Sequence, residues 1–154
     1  MDTASLVSTI RLAESGDIPR LVALAWENVK EGPYKRKIVF DENILRLFVA
    51  QLLADEEACF LVYEHEGTIQ GMFAFTTFPN FYYFGGQRVA SMVIWSVAEK
   101  FRGRPSLKLL RRGEEEARKL GATYMILTGP TDVFSALSKH CGYSYLESSH
   151  MREL

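Results

Sequence analysis

Apolar positions along this chain recur with a helical period in some stretches and as short β-forming runs in others, and the changes between the two mark its elements. Thr9 to Leu12 reads as a first strand. Asp17-Ile18-Pro19 is a helix-start signal, after which Leu21, Leu24, Ala25 and Asn28 follow at helical spacing to about Lys30. Glu31-Gly32-Pro33 ends that helix and opens a loop with Tyr34, Lys35, Arg36 and Lys37. Asp41 is placed to cap a second helix carrying Ile44, Leu45, Phe48 and Leu52 toward the core, until Asp55-Glu56-Glu57 breaks the pattern.

The character then changes. Ala58 to Tyr63 and Ile69 to Thr77 are rich in β-formers and flank His65-Glu66-Gly67, the pattern of an antiparallel hairpin, with Pro79 and Asn80 marking the next turn. Val89 to Val97 is a third strong strand, followed by a helix from Pro105 and a short strand from Tyr124 to Leu127, a β-α-β unit with a right-handed crossover. Asp132 caps a short helix to Cys141, Gly142 ends it, and Tyr143 to Met151 forms the last strand. The order β-α-α-β-β-β-α-β-α-β predicts an α/β fold on a mixed sheet. No internal repeat, low-complexity block or second domain is visible, so residues 1–154 are expected to form a single domain.

Length and charge narrow the function. A chain of 154 residues buries roughly two-thirds of its unfolded surface and requires no metal or disulfide staple. A formal net charge of −1 argues against a nucleic-acid partner, whose footprint would be basic over the domain. Cys59 and Cys141 fall on a buried strand and at a helix end, so no structural disulfide is expected, and a reducing cytoplasm is the natural setting. Met1 to Ser8 lacks the blocks of a signal peptide, and no apolar run is long enough to cross a bilayer, so no membrane partner is expected. The histidines and cysteines show no metal-ligand spacing, and no Ser/His/Asp arrangement supports a hydrolase.

One local feature stands apart from this balance. Between Val97 and Ala122 an apolar strand joins a long helix through a basic turn, with Lys100, Arg102, Arg104, Lys108, Arg111 and Arg112 set against Glu99. Pro105 suits a first helical turn, whose neighbouring N–H groups lack intrahelical partners and favour an anion together with the helix dipole. The helix is also furnished with Arg111–Glu115, Glu114–Arg118 and Glu115–Lys119 pairs that need no ligand, but these lie in its second half. Gly113 falls on the apolar stripe with Leu110, Ala117 and Leu120, which implies close packing on a sheet. Neither G-x-G-x-x-G nor G-x-x-x-x-G-K-[ST] occurs.

This stretch resembles the GNAT superfamily of N-acyltransferases, whose signature is V-x-P-x-x-R-G-x-G-x-G/A before an amphipathic helix. Val97, Arg102 and Gly103 match it in place, while Pro105 and Ser106 stand where the family usually has glycine. The resemblance extends through the order of elements to nearly the whole chain and implies a GNAT-like domain using acetyl-CoA. By this likeness the diphosphate of acetyl-CoA would be held by Arg102, Gly103, Arg104, Pro105, Ser106 and Leu107. The backbone around Trp95, Ser96 and Val97 would pair with the pantetheine arm and polarise the thioester carbonyl, which gives Ser96 a catalytic position. The acceptor would be a small-molecule amine or a protein amine.

The proton-transfer groups depart from the family. Val89 to Val97 holds no carboxylate or histidine, and Glu27, Glu31 and His65 are alternative bases that also read as ordinary surface residues. Deprotonation through water is therefore expected. The family's acid is a tyrosine; counting back from Gly142-Tyr143 puts Ser138 there, as a relay through water, with Thr131 and Phe134 replacing the usual asparagine and alanine. His140 and Tyr145 are alternative acids, although His140 near a helix C-terminus suits the dipole. Phe78, Phe81, Tyr82, Tyr83 and Phe84 read either as core or as a contact surface, for an acceptor cleft or a homodimer. A rival reading is a non-catalytic GNAT-like module that binds acyl-CoA or a partner.

Overall fold

Strands β1 (Ser8–Leu12), β2 (Ala58–His65), β3 (Thr68–Phe81), β4 (Gln87–Val97) and β5 (Tyr124–Ile126) form one sheet in that spatial order. The computed structural model describes residues 7–31, 39–129, 139–147, 150–152 and 154. The first three pairings are antiparallel and β4–β5 is parallel, as the intervening helix α3 (Arg104–Lys119) requires. Helices α1 (Ile18–Glu31) and α2 (Glu42–Ala54) lie between β1 and β2 in the chain. Asp41 caps α2 as expected, accepting from the N–H of Asn43 at 2.8 Å and of Ile44 at 3.1 Å.

Strand alternation divides the core. Leu61, Tyr63, Phe73 and Phe75 face Leu109, Leu110 and Ala117 of α3, whereas Phe60, Val62, Met72 and Ala74 face Leu21 and Leu24 of α1 and Val49 and Leu52 of α2. Both faces of β2 and β3 are covered, which is why these strands read as nearly continuous apolar runs. Gly113 does what its position on the α3 stripe implied: a Cβ there would stand 2.7 Å from Phe73 Cδ1, so its absence lets the helix settle on that ring. Among the described residues no helix is long and apolar enough to cross a membrane, and Cys59 and Cys141 are both free thiols.

Three local expectations change. Pro79 and Asn80 do not make the β3–β4 turn: β3 runs on to Phe81, and the chain reverses through Tyr82–Phe84 and the positive-φ pair Gly85 and Gly86. Pro79 is tolerated because the register breaks there, between Phe78↔Val89 and Phe81↔Gln87, so no ladder bond is lost. In α2 the buried residues are Val49 and Leu52, while Ile44 is 63% exposed and Phe48 37%. Apolar residues occupy most of that helix's circumference, so spacing alone did not select a face. The last strand, expected over Tyr143 to Met151, is not formed by the described residues 143–147 and 150–151. Residues 139–141 are helical, and only Tyr143 of residues 142–147 turns inward, which leaves no apolar face to seat a strand.

Candidate functional site

The sheet opens where β4 and β5 part. Their parallel pairing covers only Val89↔Tyr124, Ala90↔Met125 and Ser91↔Ile126, yet β3 stays paired with β4 as far as Gly71↔Val97. From Met92 onward β4 therefore has a strand on one edge and, among the described residues, none on the other. Burial records the opening: four of the five β3 residues Met72, Phe73, Ala74 and Phe75 with Gly71 are apolar side chains sealed in the core, while Ser91 to Ser96 opposite them are only half-buried. The register shift between Ala74↔Ile94 and Phe75↔Met92 makes Val93 an extra residue, a bulge in β4 just beyond its last pairing with β5.

Backbone direction on this edge follows from alternation. The Ala98 N–H donates to Gln70 O of the β3 side at 2.8 Å, so Trp95 and Val97 turn their N–H and C=O groups toward the open edge. Val97 O is taken by Arg102 Nε at 3.0 Å. Ser96 faces the opposite way, beside Met72 and the α1–α2 layer.

Beyond Val97 the chain makes a 3-10 turn at Glu99–Phe101, with Phe101 N–H donating to Ala98 O and Arg102 N–H to Glu99 O. Gly103 then caps α3 at φ 116° and ψ −122°, a conformation that glycine adopts without strain. The helix starts at Arg104, one residue ahead of the expected Pro105. The Leu107 N–H returns to Gly103 O, whereas the N–H groups of Gly103, Arg104 and Ser106 have no backbone acceptor outside the helix among the described residues, and Pro105 has no N–H to leave bare. These donors end the open edge of β4.

Charge around the turn is uneven. Lys100, Arg104, Lys108 and Arg111 have no ion-pair partner among the described residues, while the acidic residues of α3 serve its second half. Of the expected helical pairs only Glu114–Arg118 forms, at 3.7 Å. Glu116 instead takes Lys119 and Arg112, both at 2.9 Å, and these bonds hold its carboxyl below the usual range. Arg111 and Glu115 are left unpaired with each other, so the basic end keeps its charge.

Arg102 is engaged elsewhere. Its guanidinium donates to Asn28 Oδ1 at 2.9 Å and Glu31 Oε2 at 3.1 Å as well as to Val97 O, tying the last turn of α1 to the β4–α3 junction. Asn28 and Glu31 thus belong to the architecture of the site, a role invisible at a separation of 74 and 71 residues. The other candidate bases have partners too: Glu27 pairs with Arg20, and His65 Nδ1 lies 2.7 Å from Ser8 Oγ. Ser138, Thr131 and Phe134 lie outside the described residues, while His140 and Tyr145 are exposed.

The aromatic cluster proves to be surface. Phe81 is its hub, 5.7 to 5.9 Å from the rings of Tyr82, Phe84 and Tyr83, and Phe84 stacks on Tyr124 at 4.3 Å. Tyr82 and Tyr83 remain 75% and 68% exposed. One feature of β4 escaped the sequence reading, which considered only its backbone. The Trp95 indole meets Phe73 edge-on at 5.7 Å, with its Nε1 buried.

Fold and site together define a mixed α/β protein whose splayed sheet ends at an anion-seeking helix terminus. Residues 20–143 match the model of the Acetyltransferase (GNAT) family, and the chain belongs to that family. Solved structures agree on the fold. A transcriptional regulator from Bacillus halodurans C-125 is 18% identical with a TM-score of 0.78, covering 96% of this chain and 100% of its own. A Trypanosoma brucei acetyltransferase, 20% identical with a TM-score of 0.73, covers 96% and 100%. A predicted acetyltransferase from Clostridium acetobutylicum, solved with acetyl-CoA, is 18% identical with a TM-score of 0.75 and covers 96% of each chain. No curated protein sequence matches significantly.

Proposed function

We propose that this chain is an N-acyltransferase that moves an acetyl group from acetyl-CoA to a primary amine by direct attack, without an acyl-enzyme. The observation that carries this reading is that, among the described residues, the β4 edge at Trp95 has no strand partner and leads on to the Gly103, Arg104 and Ser106 amides, which have no backbone acceptor outside the helix. The donor set suits the ligand: amide-bearing pantetheine matches a strand edge, and a diphosphate matches a helix terminus beside cations that have no ion-pair partner among the described residues. Bound acetyl-CoA supplies an activated acyl group, whose transfer forms a C–N bond and releases the coenzyme as its thiol.

The chain's own residues supply placement and polarity. The Trp95 N–H is aimed at the thioester carbonyl, where a preorganised donor favours the developing charge. Arg102 positions the strand end through Val97 O; Arg104 and the Ser106 hydroxyl assist the amides, and Pro105 and Leu107 shape the first turn. Ser96, on the α1–α2 face, passes the amine's proton to water, since β4 offers no carboxylate or histidine. Ser138 relays a proton toward the leaving thiolate through water. The acceptor is a small-molecule or protein amine, and the aromatic surface at Tyr82 and Tyr83 serves acceptor binding or a homodimer. We read residues 1–154 as one cytoplasmic domain.

Isothermal titration with acetyl-CoA tests the reading: saturable binding is expected, weakened about tenfold or more in Arg104→Glu, which reverses a charge beside a diphosphate. No heat at millimolar ligand defeats it. The prior commitment of Glu27, Glu31 and His65 to other partners favours a second reading, a coenzyme-binding module without turnover. Thiol release with any amine in a broad panel removes that alternative.

A further inference from the structure

The Trp95 indole carries a hydrogen-bond donor that packing does not use. Among the described residues its Nε1 is the buried side-chain nitrogen or oxygen without a hydrogen-bond partner. A buried donor left unpaired forfeits its hydration, so such groups in a folded protein call for a partner that arrives later or for an ordered water. The indole packs with the α3-side cluster that includes Phe73, Leu109 and Leu110. The N–H is what distinguishes tryptophan here.

The layer beneath supports the ring. Phe73 is fully buried under Gly113 and meets the indole at an interplanar angle of 88°, so the tryptophan ring rests edge-to-face on a ring backed by the helix. Trp95 as a residue is only half-buried, although its Nε1 is shielded. Part of its surface is therefore open while its donor is kept away from bulk water. The same residue turns its backbone to the open edge of β4.

We infer that the Trp95 indole N–H donates a hydrogen bond to the pantetheine arm of bound acyl-CoA, so that one residue holds the arm with its side chain and the thioester carbonyl with its backbone. This rests on the acyl-CoA reading of the groove. With the backbone N–H assigned to the carbonyl under that reading, the indole's acceptor lies on the arm, and free coenzyme A satisfies it as well as acetyl-CoA.

The chain has two tryptophans, so ¹⁵N-labelled protein gives two indole resonances, assigned through Trp26→Phe. Both coenzyme A and acetyl-CoA should move the Trp95 resonance downfield and slow its exchange with solvent, together with shifts of the Gly103 and Arg104 amides. Trp95→Phe should keep its melting temperature and bind either ligand about 3- to 10-fold more weakly, the range of one ordinary hydrogen bond. If the Gly103 and Arg104 amides move while the indole does not, the coenzyme site stands and the inference falls; a shift with acetyl-CoA alone also overturns the assignment to the arm. Should neither the amides nor the indole respond at millimolar ligand, the acyl-CoA reading fails and takes this role with it. The wild-type titration decides the matter even if Trp95→Phe does not fold.

Discussion

Replacing Gly113 by alanine sets two opposing effects against each other, and the packing of α3 on the sheet decides the sign. Helix propensity alone favours alanine by about 1 kcal/mol. The added methyl, however, would lie 2.7 Å from Phe73 Cδ1. That ring is fully buried and wedged between Phe75 at 6.2 Å and Trp95 at 5.7 Å, so it has no free direction in which to retreat. Overpacking of this kind costs about 1–3 kcal/mol. The balance is a net loss of about 1 kcal/mol, read as a fall of about 2–4 °C in a thermal melt of a chain this size. Coenzyme affinity should fall with it, because displacing Phe73 displaces the Trp95 indole that packs on it. Adding Phe73→Leu makes room for the methyl, and the double variant should recover part of the sum of the single losses, a coupling of about 0.5 kcal/mol or more. A melting temperature that rises in Gly113→Ala, with additive behaviour in the double variant, would refute the close contact of helix and sheet.

Other consequences are equally specific. Gly103→Ala meets no neighbour within 4 Å but must hold φ 116°, so a loss of about 1–3 kcal/mol in urea unfolding is expected, with weakened acetyl-CoA binding; unchanged stability would deny the positive-φ cap. Asp17 accepts from Arg11 at 2.8 and 3.0 Å, and these bonds, aided by the Glu14 N–H, hold its carboxyl below the ordinary range. A lowered folded-state pKa contributes stability above the unfolded value of about 3.9 and loses it as pH falls through the folded one. Asp17→Asn should therefore cost about 1 kcal/mol at pH 7, discounted for partial exposure, and the gap to wild type should close in acid; a gap independent of pH contradicts the pairing. Burial pushes the Cys59 thiol up to about 12, so a thiol-reactive dye should label Cys141 in the native protein and Cys59 only after unfolding, as mass spectrometry can verify.

Elements whose signals are local were legible in the chain. The Asp41 cap, the β2–β3 hairpin and the strand–helix–strand unit each carry their own pattern, and Gly113 on an apolar stripe foretold close packing on the sheet, which is made against Phe73. Features created by tertiary partners were not. The face of α2 depends on what α1 and β2 leave uncovered, and Arg102 finds its acid on α1. The groove itself arises because β5 stops pairing at Ile126 while β3 continues along β4, a difference between two strands that neither displays alone. The indole of Trp95 was overlooked for a similar reason, since an unpaired donor is defined only by its surroundings.

The most direct test of the account is a crystal structure of the chain with acetyl-CoA. The diphosphate oxygens should accept hydrogen bonds of about 3 Å from the N–H groups of Gly103, Arg104 and Ser106, with the arm lying along β4 from Val97 to Trp95. A coenzyme bound elsewhere, with these amides facing only solvent, would contradict it.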